Sequence, residues 1–444
     1  MVKKFISIFI LVFMLFGIFT LPTLAYKPST FSITGEGCIL ASADTGAVIY
    51  DKNAETRFYP ASLTKIMTAT VVLDECKNPE SVMVTAEKNE LDILLGTDSS
   101  VLGLVEGEQF SALELLYILL VHSANDAANV LAKHFGGSID GFVEKMNQKA
   151  KQLGMVGSHF MNPHGLHDEQ HYTTPKDMYL LTRHALENET FKEIFGTVRH
   201  PLPATNKNPK KRLLATTVFI QDQNSMMPGS YYSAVKGGKT GYTDEAGRCL
   251  VSVAEKNGAS YICVLMKCPV YNSAGQKVRY EFSETKALYE WVFNDFEYRQ
   301  VYDSKTPVGE CPVELGKDAD FVTLVLQKPV NAVVPKGADE STIDIEVDLN
   351  ISPATAPIKQ GDVLGKATVK YAGEVLDTVS VVAMTSVEKS AMLAFVKGVT
   401  DFFGSKYMKA VLFVLGGIIL IFVLYIYLLN RRKKRRRRRR VRIR

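Results

Sequence analysis

The chain has no C-x-x-C pair, no H-E-x-x-H string, no internal repeat and, outside one basic tail, no low-complexity tract. The first absence weakens a zinc or dithiol redox reading. The second removes the helical signature of zinc peptidases. Positive charge is also scarce once it is located. A formal net charge of +5 comes from 52 Lys+Arg against 47 Asp+Glu, but 12 of those bases lie in residues 431–444, and Lys3 and Lys4 precede an apolar leader. Setting those fourteen aside leaves 38 bases facing all 47 acids. An acidic body gives no support to a nucleic-acid groove, so no nucleic-acid partner is expected.

The 444 residues exceed the usual ~100 to 200 per domain, which implies two folded units plus accessory segments. With 46% hydrophobic and 22% charged residues, wholesale disorder, a collagen-like chain and a pure coiled coil are excluded.

Both ends carry targeting patterns. Lys3 and Lys4, the apolar residues 5–16, Gly17, Pro22 and then Thr23-Leu24-Ala25, with small side chains at the −3 and −1 places, read as a signal peptide, residues 1–25. An uncleaved anchor competes with that reading, although the apolar run is short of the ~20 residues a span needs. Residues 410–429 are uncharged and would be about 30 Å long as a helix, matching the hydrocarbon thickness. A span over 407–430 followed by the basic tail 431–444 places that tail in the cytoplasm and the body outside the cell membrane. Six cysteines (Cys38, Cys76, Cys249, Cys263, Cys268, Cys311) remain in the exported part. An oxidising compartment permits disulfides, yet Cys249 and Cys263 sit in apolar runs where a buried thiol is equally natural, and no pairing is assigned.

Residues 38–42 and 47–50 form short β-like runs across Asp44-Thr45-Gly46, and residues 248–254 and 260–266 form two more across Asn257-Gly258. Helical stretches at 64–75, 112–121 and 126–135 lie between these strand pairs. Strands at both ends with helices between imply an α+β unit, one sheet closed by distant segments, over residues 26–299. Farther on, residues 343–349 alternate apolar and acidic without a break, and 321–326, 363–370 and 375–383 are further strand candidates. They imply a small all-β domain, 300–387, followed by an amphipathic helix and linker, 388–406.

Three places carry candidate chemistry. The helix starting near Ser62 is apolar nearly all round, and Lys65 is its only charge. Desolvation lowers the proton affinity of such a lysine, and Ser62, three residues earlier, shares its face, so an activated serine results. A helix-capping Ser62 with Lys65 snorkelling to water fits the same spacing. At His122-Ser123-Ala124-Asn125-Asp126 one apolar helix gives way to another. Such a junction either caps the second helix or projects a hydroxyl and an amide into a cleft. Lys236-Gly237-Gly238-Lys239-Thr240-Gly241 precedes a strand pair. Its glycines thin an edge strand so that a peptide can lie against it, while Lys239 and Thr240 would hold a carboxylate; a plain glycine-rich strand end is the alternative.

Taken in order, S-x-x-K at Ser62, S-x-N at Ser123 and K-T-G at Lys239 resemble the penicillin-recognising serine enzymes. Within them the chain resembles the low-molecular-mass penicillin-binding proteins of the D-alanyl-D-alanine carboxypeptidase type. The stretch after Lys239, through Tyr242-Thr243-Asp244 to Arg248-Cys249-Leu250, is similar to that family's. So is Phe160-Met161-Asn162-Pro163-His164-Gly165-Leu166. The resemblance implies a penicillin-binding or β-lactamase-like transpeptidase domain, an antiparallel sheet flanked by helices, followed by the β domain. It implies Ser62 as acylated nucleophile, Lys65 as base, Ser123 as proton relay, and Asn125, Lys239, Thr240 and Gly241 as substrate-binding residues. The backbone N–H groups of Ser62 and Tyr242 would be the oxyanion donors. It also implies a peptidoglycan pentapeptide ending in D-Ala-D-Ala as substrate, β-lactams as inhibitors, and no metal or organic cofactor. Ala124 stands where the family often has glycine, and a true span replaces the usual peripheral anchor.

Three rivals remain to be weighed. A class A-like β-lactamase shares the motifs but needs a deacylating glutamate, and no E-x-x-L-N string follows Asn125. A metallopeptidase would have to use His164, His167, Asp168, Glu169 and His171 from a loop. A tethered scaffold with a dead pocket would be expected to show a broken motif, and none is broken.

Overall fold

The computed structural model describes residues 32–371 and 373–440. The expected signal peptide, 1–25, and residues 441–444 of the tail lie outside them. The chain divides into two compact units. One holds the described residues up to Val301 together with Val330–Asp344 and Val369–Asp377. The other holds Tyr302–Pro329, Ile345–Thr368 and the residues from Thr378 onward.

The first unit is organised by an antiparallel sheet of five strands. Strands β1 (Gly37–Ser42) and β2 (Val48–Lys52) come from its start. Strands β3 (Val235–Thr243), β4 (Gly247–Lys256) and β5 (Ala259–Cys268) come much later, and the order across the sheet is β2-β1-β5-β4-β3. β1 pairs with β5, Leu40 opposite Cys263 and Ala41 opposite Ile262, so distant segments do close the sheet. Both hairpins form where turn residues stand. Gly46 takes φ 82°, and Asn257 and Gly258 take φ 54° and 78°, the left-handed pair that a two-residue hairpin turn requires.

Helices cover both faces, which is why the central strands read as continuous apolar runs rather than alternating ones. On one face α1 (Thr64–Glu75), α2 (Ala112–Leu120) and α3 (Asn125–Gly136) share a core with the sheet that includes Ile66, Val72, Leu116, Val130, Val251 and Val264. α1 is buried from Thr64 to Leu73, as its apolar circumference demands. The Ser111 hydroxyl caps α2 by accepting from Glu114 N–H at 3.1 Å, and Gly137 ends α3 at φ 72°. On the other face α4 (Tyr280–Asp295) places the Tyr289 hydroxyl 2.9 Å from Ser252 Oγ, where it also accepts from Cys263 N–H at 3.2 Å. All six cysteines are free and buried. Burial pushes the Cys249 thiol up to about 12 and those of Cys38 and Cys268 up as well, so these sulfurs are inert packing groups.

The β-rich C-terminal part carries a six-stranded sheet that includes Phe321–Leu326, Ile343–Leu349, Val363–Tyr371 and Glu374–Ala383, close to the runs the pattern indicates. Pro307–Glu314 and Val330–Pro335 are strands that the pattern does not reveal. Pro307 and Pro312 disguise the first, and it is tolerated because its outer side pairs only with the two residues Ala354–Thr355. Helix Ala391–Gly404 then leaves Met392, Phe395, Phe402 and Phe403 exposed. In the following helix, Lys406–Arg440, the stretch Lys406–Lys433 contains an 18-residue window with a mean hydropathy of 2.9 and is long and apolar enough to cross a membrane.

Leu116, fully buried where α2 meets the core, is expected to cost about 2–5 kcal/mol on truncation to alanine. Urea unfolding checks this as a lower midpoint at unchanged slope. An unaltered midpoint would mean that the helices close over the vacated volume.

Candidate active site

Ser62 lies in a single 3-10 turn, Ala61–Leu63, that runs straight into α1. Its hydroxyl caps nothing, because neither start of the two abutting helices has a side-chain cap. Instead Ser62 Oγ is 2.9 Å from Lys65 Nζ. Lys65 does not snorkel: it is 0% exposed, and its Nζ also meets Asn125 Oδ1 at 2.7 Å and the His164 carbonyl oxygen at 2.8 Å. Burial, and then the nearby Lys239 ammonium, hold its proton affinity well below that of a free lysine, while Asp126 acts in the opposite direction. Once neutral, the amine keeps two N–H groups and one lone pair. The Asn125 and His164 oxygens can only accept, so they take the two N–H groups and leave the lone pair to the Ser62 hydroxyl.

Ser123 occupies the junction of α2 and α3 at φ 65°, a left-handed conformation rare for a side-chain-bearing residue. It is no cap either: Ala124 stands at the cap position, and Ser123 Oγ accepts from Lys239 Nζ at 2.7 Å. Asn125 opens α3 and thereby faces Lys65. Lys239 is 0% exposed, donates also to the Thr240 carbonyl at 2.9 Å, and is lowered by burial to about 7. Thr240 Oγ1 lies 2.6 Å from Thr217 Oγ1, a neighbour without any motif of its own. Lys239 and Thr240 ride on β3, the edge of the sheet. A Cβ on Gly241 would stand 2.8 Å from the Pro60 carbonyl oxygen and 3.2 Å from Ser62 N, so glycine is what lets the edge strand approach the serine. The room left by Gly237 and Gly238 is filled by Phe195 and Val218 rather than left for a ligand. Tyr242 is half exposed, bonded through its hydroxyl to Asp244 at 2.6 Å and stacked under the Arg248 guanidinium.

A fourth segment, 160–166, completes the surroundings of Lys65. Asn162 Oδ1 accepts from Gly165 N–H at 2.6 Å and His164 N–H at 3.3 Å, while its amide donates to the Leu166 carbonyl at 2.9 Å. Thr68 Oγ1 ties down the Pro163 carbonyl at 2.5 Å. The His164 carbonyl is thus aimed at the amine by a turn, and no side-chain pattern announces a backbone ligand of this kind. His171 accepts from Met161 N–H at Nδ1, so its Nε2 carries the proton and donates to Thr64 Oγ1 at 2.8 Å. Burial pulls His171 down to about 3 and His164 well down too, so both rings are neutral.

His164 Nδ1 accepts from Leu166 N–H and Asp168 from Gln170 N–H, while the His167 ring packs edge-on against Tyr59. Of the residues a metallopeptidase would need, His164, Asp168 and His171 are thus engaged in hydrogen bonds. Among the described residues no three His, Cys, Asp or Glu gather as a metal cage.

Gly165, at φ 92°, is pressed against Ala61 so closely that an added Cβ would lie 1.8 Å from the Ala61 carbonyl oxygen. Gly165→Ala should displace the Ser62 turn and slow acylation by a β-lactam about 10²-fold, the usual cost of a misplacement near 1 Å. Stopped-flow acylation checks this, and a native rate would show that the contact does not set the serine.

Residues 24–269 match the model of a family described as D-alanyl-D-alanine carboxypeptidase, and residues 296–389 that of the penicillin-binding protein 5 C-terminal domain. The D-alanyl-D-alanine carboxypeptidase DacF of Bacillus subtilis is 31% identical over 373 residues, 84% of this chain and 90% of the relative. Among solved structures, penicillin binding protein 5 from Haemophilus influenzae superposes with a TM-score of 0.65 at 28% identity, covering 82% of this chain and 100% of that one. The Streptomyces K15 DD-transpeptidase does so with a TM-score of 0.54 at 27% identity, covering 61% and 100%. With a buried lysine bonded to a serine at the head of α1, and with both family models matched in order, the chain belongs to the D-alanyl-D-alanine carboxypeptidases, serine peptidases of the penicillin-binding protein type.

Proposed function

We propose that Ser62 is the acylated nucleophile of a carboxypeptidase acting on peptidoglycan stem peptides that end in D-Ala-D-Ala. The observation carrying this is the amine of Lys65, desolvated and oriented by Asn125 and His164 with its third position on Ser62 Oγ. The Ser62 proton passes to Lys65 Nζ as Oγ bonds to the carbonyl carbon of the penultimate D-alanine. The N–H groups of Ser62 and Tyr242 hold the oxyanion. Ser123, bonded to Lys239, gives its hydroxyl proton to the departing nitrogen and takes one from the Lys65 ammonium, so that D-alanine leaves as a neutral amine and Lys65 is neutral again. Water then attacks the ester with Lys65 again taking the proton, and Ser62 is restored. Lys239 and Thr240 bind the terminal carboxylate, Gly241 keeps the edge strand close enough to do so, and Asn125 orients the substrate amide. A β-lactam presents the same acyl group, but its leaving nitrogen stays tethered, so it should remain on Ser62.

With the chain divided into catalytic region 26–299, β domain 300–387, amphipathic helix and linker 388–406, span 407–430 and tail 431–444, this chemistry would lie on the extracellular face of the cell membrane. The tail is then cytoplasmic, and residues 1–25 act as the export signal. The excess of bases after the apolar helix supports that orientation.

Fluorescent penicillin should label the native chain and leave Ser62→Ala unlabelled; equal labelling of both would refute the assignment. Lys65→Ala should acylate about 10² to 10⁴ times more slowly, the usual contribution of a general base.

The pH dependence has two limbs of opposite sign. Lys65 works neutral, so the rate rises with pH through its lowered pKa. Lys239 works as an ammonium, so kcat/KM falls as pH passes about 7. A bound carboxylate holds Lys239 charged, and the falling limb of kcat should therefore lie at higher pH than that of kcat/KM. Coincident falling limbs would remove Lys239 from carboxylate binding.

A further inference from the structure

Asp126 directly follows the S-x-N motif and has no part in the steps above, yet it is 3% exposed and saturated with donors. Its Oδ2 accepts from Gly103 N–H at 2.9 Å and Leu104 N–H at 3.0 Å. Its Oδ1 accepts from Leu102 N–H at 3.2 Å and Ala127 N–H at 2.9 Å. Four N–H donors aimed at one carboxyl group require the ionised form, which only accepts. The site in the first turn of α3 favours a negative charge as well.

The three donors from residues 102–104 belong to a loop that is itself fastened to the active site. The Ser100 carbonyl accepts from Asn125 N–H at 2.7 Å, and Gly103 makes the intervening turn at φ 84°. One carboxylate thus gathers the loop, while the loop holds the backbone of Asn125, whose side-chain oxygen holds Lys65. Just upstream, Ser123 is kept in a left-handed conformation that a free chain would leave.

We propose that Asp126 is a positioning residue: by tying residues 100–104 to the first turn of α3 it fixes the attitude of the Ser123–Asn125 turn, and with it the alignment of Asn125 on Lys65. The proposal rests on the reading of Ser62 and Lys65 given above. Its influence on Lys65 is also electrostatic. The titratable groups around that amine are Lys239 from β3, Asp126 from α3, and His164 and His171 from the 160–171 loop. Both histidines are neutral, so Asp126 is the carboxylate that opposes Lys239 there.

Asp126→Asn preserves the shape but removes the charge and turns an amide donor toward a backbone N–H. We expect Ser62 still to be labelled by fluorescent penicillin, with the acylation rate down about tenfold or more. The rising limb of its pH profile should move to lower pH, because Lys65 loses a negative charge that favours its protonated form. Gly103→Ala strains the turn without touching any charge, so it should slow acylation while leaving that limb in place. It also tests the loop tie should Asp126→Asn not fold. A native rate in either variant, or a slowed Asp126→Asn with an unmoved limb, overturns the proposal. Failure of the underlying reading looks different: native protein and Ser62→Ala would then label alike.

Discussion

A lysine amine held in a dry place, its proton affinity lowered by burial, is the constraint on which this structure turns. Lysine surrenders its proton near neutrality only where water is excluded, and Lys65 lies on a helix whose every position from Thr64 to Leu73 is buried. Burial alone would leave the amine undirected. Two oxygens that cannot donate, one from Asn125 and one from the His164 backbone, take up its hydrogens and leave one direction for basicity, toward Ser62. The second lysine, also fully buried, reinforces the effect through its charge and is itself brought to about 7.

That arrangement needs four separate pieces of chain to converge, and the fold supplies them by unequal means. α1 brings serine and lysine together by helical periodicity alone. The junction of α2 and α3 and the 160–166 turn reach the site only through strained or glycine-dependent backbone. Ala61 and Ser123 both hold positive φ, at 46° and 65°, a strain of order 1–3 kcal/mol each that the surrounding packing must offset. Gly165 and Gly241 admit the two neighbouring segments to within contact of the serine turn. Backbone strain and missing side chains therefore gather where the chemistry is, as expected when a site over-determines its own geometry.

The order of the three motifs, the hairpin turns at Gly46 and Asn257-Gly258, and the all-round apolarity of α1 are legible from residues alone because each is local. A turn dipeptide or an i, i+3 pair acts over a few residues, whatever the rest of the chain does. Ser62 and Lys65 were accordingly identifiable, while the choice between capping and catalysis was not. Neither was the strand Pro307–Glu314, since tolerance of Pro307 and Pro312 depends on its place in the sheet. Thr217 and the His164 carbonyl lay equally out of reach. A lone threonine has no pattern, and a carbonyl oxygen is present at every residue.

By itself the sequence determined the inventory: an α+β unit with a serine and a lysine on one helical face, a Ser-x-Asn junction and a glycine-containing strand edge, then a β-rich part and one long apolar helix. Each of these depends on residue type and spacing, which folding does not alter. Tertiary structure decided protonation and direction. Those depend on which groups from distant segments surround Nζ of Lys65 once water has gone, a property of three-dimensional packing that no run of neighbouring residues contains.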